Sequence, residues 1–142
     1  MATTAPASRQ LLDGGFGRRT MRTASFSPDG RQLVTGNVGN LYRWDVETGE
    51  LLAERKTGED SPSRMVYRTE TRLIGGCKSF QHYDVETLMR KANEPRYKGQ
   101  KRLPNALALA PDGQSLYSAG GSSYTHDDSF LRRWKVAQSG KP

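Results

Sequence analysis

The sequence predicts an all-β fold built from repeated small sheets, and two observations support this. The first is self-similarity, because a segment of about 40 residues recurs three times along the chain and such a period marks a repeat architecture. The second is the pattern inside each copy, where short apolar runs alternate with turn residues and no segment keeps a helical period. Each copy is therefore expected to fold into one antiparallel sheet.

The first copy contains four expected strands separated by three turns. The turn at 27–30 reads Ser-Pro-Asp-Gly, with proline at an early position and glycine where a positive φ is needed. Residues 36–40 and 47–49 form the second and third turns. The strands expected between them pair in chain order as a meander and span 21–26, 31–35, 41–46 and 50–55.

The second and third copies repeat this plan less regularly. Their third strands, FQHYDV and LRRWKV, match LYRWDV of the first copy, and the three end at Val46, Val85 and Val136. The longer third interval is explained by insertions at 95–103 and 122–129. Strands are expected at 64–68, 72–75, 80–85 and 88–91 in the second copy, and at 105–110, 114–118 and 130–136 in the third.

The first copy, SPDGRQLVTG followed by LYRWDVETGELL, resembles the WD-repeat (WD40-type) β-propeller family. This resemblance implies four-stranded antiparallel blades around a central channel. The chain would then contribute three blades, at about 20–56, 63–94 and 103–136. Outside the blades and an N-terminal strand at 8–13, we expect residues 1–7 to be a disordered tail and residues 139–142 to be a C-terminal tail.

The three copies depart from the family pattern in their polar core. The Gly-His dipeptide that precedes the first strand in this family is absent from all of them, so the family's buried histidine network is not expected. Trp44 and Trp134 keep the family's aromatic position, Tyr83 replaces it in the second copy, and Lys135 replaces the aspartate in the third. Because the three aromatic residues occupy equivalent strands, we expect them to pack between blades rather than to stack on a ligand.

The third copy has no fourth strand, since 137–142 matches only a turn. A spare strand at 8–13 resembles the fourth strand of the first copy, and in this family the N-terminal segment commonly completes the last blade. We therefore expect head-to-tail homo-oligomerisation, closed by rotation into a ring. A dimer of six blades is favoured over a trimer of nine because propellers usually have roughly four to eight. Excision from a longer propeller is the alternative. The residues expected to form this inter-chain closure strand are Arg9, Gln10, Leu11 and Leu12.

Composition indicates a cytoplasmic protein with no membrane association. The single cysteine cannot form an internal disulfide and fits a reducing compartment. Residues 1–8 lack the apolar core of a signal peptide, and no apolar run approaches transmembrane length.

The formal net charge of +7 suggests an anionic partner. Several cations precede the first strand of a blade, and in a propeller these connections gather on one face near the channel. A basic rim there would attract an acidic protein or peptide, whereas the alternative is a solvated surface that aids solubility. Nucleic-acid binding is not favoured, because no motif or stacking platform accompanies the charge. The candidate rim residues are Arg18, Arg19, Arg64, Lys101 and Arg102.

Few residues suggest a metal site or catalysis: Cys77, His82, His126, Asp127 and Asp128. The adjacent aspartates lack the spacing of a calcium loop and are interpreted as part of a polar hairpin loop. His82 is interpreted as a strand-surface residue, and nothing near Cys77 would activate its thiolate. We therefore expect no catalytic residue, no cofactor and no metal. The favoured function is a non-enzymatic interaction scaffold, and the alternative is an assembly unit without a specific ligand.

Overall fold

The computed structural model describes residues 20–58, 62–76, 79–98, 104–120 and 131–136. These ranges contain β-strands joined by turns. The strands are β1 (Met21–Phe26), β2 (Gln32–Asn37), β3 (Asn40–Asp45), β4 (Leu51–Lys56), β5 (Arg64–Thr69), β6 (Arg72–Gly76), β7 (Phe80–Asp84), β8 (Pro104–Leu109), β9 (Ser115–Gly120) and β10 (Leu131–Lys135).

The strands form three antiparallel sheets, one for each copy in the sequence. Blade one has the order β1-β2-β3-β4, blade two β5-β6-β7 and blade three β8-β9-β10. The first strands of the blades lie side by side, with β5 between β1 and β8. The expected all-β fold is confirmed, and the sheets follow one another as three blades with blade two in the middle.

The expectation of a fourth strand at 88–91 in blade two is wrong. Instead of a strand at 88–91, the edge of β7 carries two isolated bridges, from Tyr83 to Arg90 and from Phe80 to Tyr97. Residues 92–96 loop out between these two contacts. The edge still has hydrogen-bond partners. Tyr97 N donates to Phe80 O at 2.9 Å, and Phe80 N donates to Tyr97 O at 3.0 Å. Two isolated bridges therefore take the place of a continuous hydrogen-bond ladder along this edge of β7.

The core lies between the blades. Alternate residues of a strand point to opposite faces of its sheet, so Leu73 and Ile74 of β6 enter two different apolar clusters. Leu73 packs toward blade one with Val34 and Leu41, whereas Ile74 packs toward blade three with Leu116. Both β6 side chains are fully buried. The middle blade is thus covered on both faces.

A side chain in the left-handed region strains the turn after β7. The corresponding turn of blade one contains Gly49 with φ 74°, whereas blade two has Leu88 with φ 57°. Leu88 is 1% exposed and joins the cluster between blades one and two. In both turns the aspartate that ends the strand, Asp45 or Asp84, accepts from a threonine N–H and hydroxyl. The aspartate–threonine hydrogen bonds are thus the same in both turns. The residue after the threonine differs: Gly49 adopts the positive φ without strain, whereas Leu88 accepts strain and buries its side chain.

The interpretation of His82 as a strand-surface residue is wrong. Its side chain is 1% exposed and faces blade three from β7. Nε2 lies 3.2 Å from the Tyr97 hydroxyl, and Nδ1 lies 3.3 Å from Glu94 Oε2. Glu94 also accepts from Arg72 Nε at 3.0 Å. The irregular segment that follows β7 therefore supplies both partners of a buried imidazole.

Burial lowers the pKa of His82, because a charged imidazole loses its hydration there. The Glu94 carboxylate opposes this effect, whereas Arg68 and Arg72 add to it. Desolvation is the largest of these causes, so the pKa of His82 lies below its ordinary value. The folded chain thus holds His82 neutral at a pH where the unfolded chain begins to protonate it.

Replacing Leu88 should separate backbone strain from packing. Loss of a buried leucine side chain costs about 2–5 kcal/mol, and a non-glycine residue in the left-handed region costs about 1–2 kcal/mol. Leu88→Gly removes both the strain and the side chain, so it should destabilise by about 1–4 kcal/mol. Leu88→Ala keeps the strain and should be about 1 kcal/mol less stable than Leu88→Gly. Urea unfolding measures both variants, and equal stabilities would contradict the strain.

Stability should fall as the pH drops below about 6.5, the ordinary histidine pKa, because the unfolded state then binds a proton that the folded state resists. His82→Gln keeps a hydrogen-bonding side chain without this titration, so its free energy of unfolding should vary less between about pH 5 and 7. Denaturant unfolding across that range is the measurement. His126→Gln, which replaces the only other histidine, is the control, and a slope that only this control flattens would refute the assignment.

Candidate interaction faces

Each blade has two faces, which we name by chain order. The forward face points toward the next blade along the chain, and the rear face points toward the preceding one. The strand registers align the blades, because Trp44 pairs with Leu33 in blade one as Tyr83 pairs with Leu73 in blade two. Trp134 pairs with Leu116 in the same way in blade three. The aromatic position therefore lies on the rear face of every blade.

The three aromatic residues differ in their surroundings. Trp44 is 2% exposed and donates from Nε1 to Thr35 Oγ1 at 3.0 Å within its own sheet. Tyr83 is buried in the cluster between blades one and two. Trp134 is partly buried, and its ring meets Phe80 of blade two edge-on with centroids 5.2 Å apart. Tyr83 and Trp134 thus pack toward the preceding blade.

The forward faces show a sharp contrast at one position. Leu41 in blade one, Phe80 in blade two and Leu131 in blade three each begin or nearly begin the third strand, opposite Gly36, Gly76 and Ala119. Leu41 and Phe80 are fully buried by the next blade, whereas Leu131 is 72% exposed. A position that is apolar in all three blades is therefore uncovered only in the last.

The rest of the forward face of blade three consists mainly of alanine and tyrosine side chains. Tyr117 occupies the position of the fully buried Val34 and Ile74 in the other blades, and it is only partly buried. Ala106 and Ala108 on β8 are exposed beside it. The Arg133 guanidinium lies 6.0 Å from the Tyr117 ring centroid. We call this surface, made of Ala106, Ala108, Tyr117, Ala119, Leu131 and Arg133, the forward end face.

The rear face of blade one shows the complementary pattern. Phe26 is 61% exposed, although Tyr67 at the same register position of blade two is 7% exposed. Val46 is 43% exposed, whereas its equivalents Val85 and Val136 are each 4% exposed against the preceding blade. We call the surface that contains Phe26 and Val46 the rear end face. The two end faces therefore present the two halves of the contact that joins neighbouring blades inside the chain.

Arg64 is the one candidate rim residue that lies in the described ranges. Its Nε donates to Asn105 O at 2.9 Å, and its Nη1 donates to Arg22 O at 2.8 Å and to Ser63 O at 2.6 Å. The guanidinium thus connects the starts of β1, β5 and β8 beside a hollow of about 400 Å³. These hydrogen bonds give Arg64 a structural role, and its predicted anion binding stays a prediction.

Several predicted residues lie outside the described part of the chain. They comprise the closure strand, four of the rim cations and most of the candidate metal ligands. Within the described ranges, no three His, Cys, Asp or Glu side chains form a group that could hold a metal ion. The same ranges contain no helix of sufficient length and apolarity to span a membrane. The residues outside the described ranges are Arg9, Gln10, Leu11, Leu12, Arg18, Arg19, Cys77, Lys101, Arg102, His126, Asp127 and Asp128.

Comparison of the sequence with known proteins finds distant similarity. No protein-family model matches the chain. Over 118 residues the chain is 23% identical to apoptotic protease-activating factor 1 of Danio rerio, covering 82% of this chain and 9% of that protein. The chain therefore spans about a tenth of that relative's length.

Comparison with solved structures identifies the fold. The crystal structure of RRP9 WD40 repeats superposes with a TM-score of 0.61 at 22% identity, covering 80% of this chain and 33% of that chain. A chain in the crystal structure of the mitotic checkpoint complex superposes with a TM-score of 0.68 at 20% identity, covering 87% and 36%. The chain spans about a third of either structure. Its three sheets have the fold of WD40-type propeller blades, as the sequence resemblance predicted.

Proposed function

We propose that this chain is a non-enzymatic protein-interaction scaffold whose end faces assemble it with a second copy of itself. The observation that carries the proposal is the 72% exposure of Leu131, at a position that is fully buried in the other two blades. The forward face is covered in blades one and two, so a cover is expected on the forward face of blade three as well. The occupant with the matching shape is the rear face of a blade.

A second copy offers such a rear face in blade one. Phe26 and Val46 hold the positions whose equivalents in blades two and three pack on the preceding blade. Contact between the forward end face of one chain and the rear end face of another would therefore repeat the internal junction. It is a head-to-tail contact, which must close by rotation to avoid filaments.

The energy available at such a junction is adequate only if several side chains contribute. Burying one leucine, valine or phenylalanine is favourable by about 1.5–3 kcal/mol, whereas association costs at least about 4 kcal/mol in lost freedom. Leu131, Tyr117, Phe26 and Val46 together could exceed this cost at one junction. A closed ring of two chains forms two junctions for one association, which favours closure over a single contact.

The edge of blade three supports a further contact. β10 pairs with β9 on one side and forms the edge of its sheet in the described residues, whereas the equivalent β3 pairs with β4. We propose that Arg9–Leu12 of the second copy pairs there as a fourth strand. Exposed strand edges pair readily with added strands.

We favour a dimer because six blades lie in the usual range of roughly four to eight. A trimer would contain nine blades. The competing arrangement is a longer polypeptide in which further blades cover both end faces. Measurement of the isolated chain separates these arrangements, because only self-association gives an oligomer of this sequence.

Native mass spectrometry at micromolar concentration should show a species of twice the 15.8 kDa chain mass. Leu131→Glu and Phe26→Glu should each give monomer, because a charge would then be buried in the junction. Met89→Glu is the matched control, since Met89 is 49% exposed but lies on neither end face. A monomeric parent chain, or a Met89→Glu variant as monomeric as Leu131→Glu, would refute assembly through the end faces.

Mixing the two variants tests the head-to-tail geometry. A Leu131→Glu chain keeps an intact rear end face, and a Phe26→Glu chain keeps an intact forward end face. The mixture should therefore regain one unmodified junction and associate more strongly than either variant alone. A contact between two copies of the same face would show no such recovery.

Deleting residues 1–13 should weaken the dimer more than deleting residues 137–142, because the first change removes the proposed closure strand. The midpoint of dimer dissociation on dilution, followed by sedimentation velocity, is the measurement. Equal midpoints for the two truncated chains would show that residues 9–12 do not contribute to closure.

A further inference from the structure

A groove between blades one and two forms a second candidate binding site, separate from both end faces. It has a volume of about 350 Å³ and lies between β4 and the outer edge of blade two. One wall consists of Arg55, Lys56 and Thr57, and the other includes Gln81 and Arg90. Both walls belong to one chain, so the groove exists whether or not the chain associates.

The groove is basic. Arg55, Lys56 and Arg90 line it, and none of the described residues that line it is acidic. Arg55 Nε donates to Thr87 O at 2.7 Å, which holds this guanidinium at the junction of the two blades. The ion pairs among the described residues lie elsewhere, between Arg72 and the carboxylates of Asp84 and Glu94. A carboxylate ligand would therefore meet three cations without an internal competitor.

Two buried oxygen atoms in the groove walls indicate what else the ligand must carry. Gln81 Oε1 and Thr57 Oγ1 are shielded from water and have no hydrogen-bond partner in the described part of the chain. Buried polar atoms are nearly always paired in folded proteins, and a lone amide oxygen requires a donor. Because Gln81 Oε1 has almost no accessible surface, a ligand reaches it only if the amide turns toward the groove. A ligand that carries N–H groups as well as negative charge would then satisfy this oxygen. Met89, 49% exposed on the same wall, adds an apolar contact.

We propose that this groove binds an extended acidic peptide segment. Its side-chain carboxylates would pair with Lys56 and Arg90, and a backbone N–H would donate to Gln81 Oε1. A peptide satisfies both requirements, because it presents carboxylates and amide donors along the same strand. The inference rests on the protein-binding part of the proposed function and does not depend on ring closure.

Fluorescence anisotropy with a labelled glutamate-rich peptide tests the site. The parent chain should bind this peptide more tightly than the same peptide with glutamine at every glutamate, and the difference should shrink as salt screens the charges. Arg90→Glu and Lys56→Glu should each weaken binding about tenfold, since an exposed ion pair gives up to about fivefold and reversal adds repulsion. Gln81→Leu should weaken binding about threefold to tenfold through the lost hydrogen bond.

Arg31→Glu is the matched control, because Arg31 is an exposed cation in the β1–β2 turn at the opposite end of the strands. It changes the net charge by the same amount and should leave the affinity within about twofold of the parent. An equal loss from Arg31→Glu and Arg90→Glu would overturn the site and leave only general attraction to a basic protein. Displacement of the peptide by inorganic phosphate at equal concentration would also overturn it, because a small-anion site needs no peptide.

The monomeric variant Leu131→Glu separates this inference from ring closure. It should bind the acidic peptide as the parent does, since the groove is complete in one chain. Loss of peptide binding in that variant would overturn the assignment of the groove to blades one and two of a single chain.

Discussion

Packing of one blade on the next is the interaction on which the whole structure depends. A single three- or four-stranded sheet has two faces and no interior, so it becomes stable only when neighbours cover both. Blade two shows this condition fulfilled, because Leu73 and Ile74 point in opposite directions and both are fully buried. The polar groups follow the same rule, since His82 is buried at the junction with blade three and finds its partners there.

The end blades show the same condition only half fulfilled. Blade three packs on blade two through Leu116 and Val136 while Leu131 on its other face stays exposed, and blade one leaves Phe26 exposed on the opposite side. Repetition makes these two surfaces complementary, because each is a copy of a surface that already fits its partner inside the chain. The proposed self-association would use the junction between neighbouring blades once more.

The repeat and its register could be predicted from the sequence, because they depend on local patterns. Turn residues mark the strand ends, and the alternation that places Trp44 and Tyr83 on equivalent faces follows from the two-residue strand period. The outer edge of blade two, where a fourth strand was expected, could not be predicted so well. Residues 88–91 are similar to the fourth strand of blade one, but Tyr97 from the following insertion takes over part of that edge.

The surroundings of two side chains could not be predicted from the sequence, for a shared physical reason. His82 occupies the position of Arg43 and Arg133, which suggested a surface residue, but Glu94 and Tyr97 contact it from the irregular segment that follows β7. Arg64 was interpreted through its charge alone, yet its donors contact backbone carbonyls of neighbouring blades. Such contacts depend on spatial neighbours and on main-chain acceptors, neither of which a residue pattern displays.

Hydrogen–deuterium exchange at high and at low protein concentration tests most directly whether the end faces bury each other. If they do, raising the concentration should slow amide exchange in β1 and in β10, the strands that carry Phe26 and Leu131, while β6 in the middle blade stays unchanged. Exchange in β1 and β10 that does not depend on concentration, in a range where the chain is shown to associate, would contradict the account.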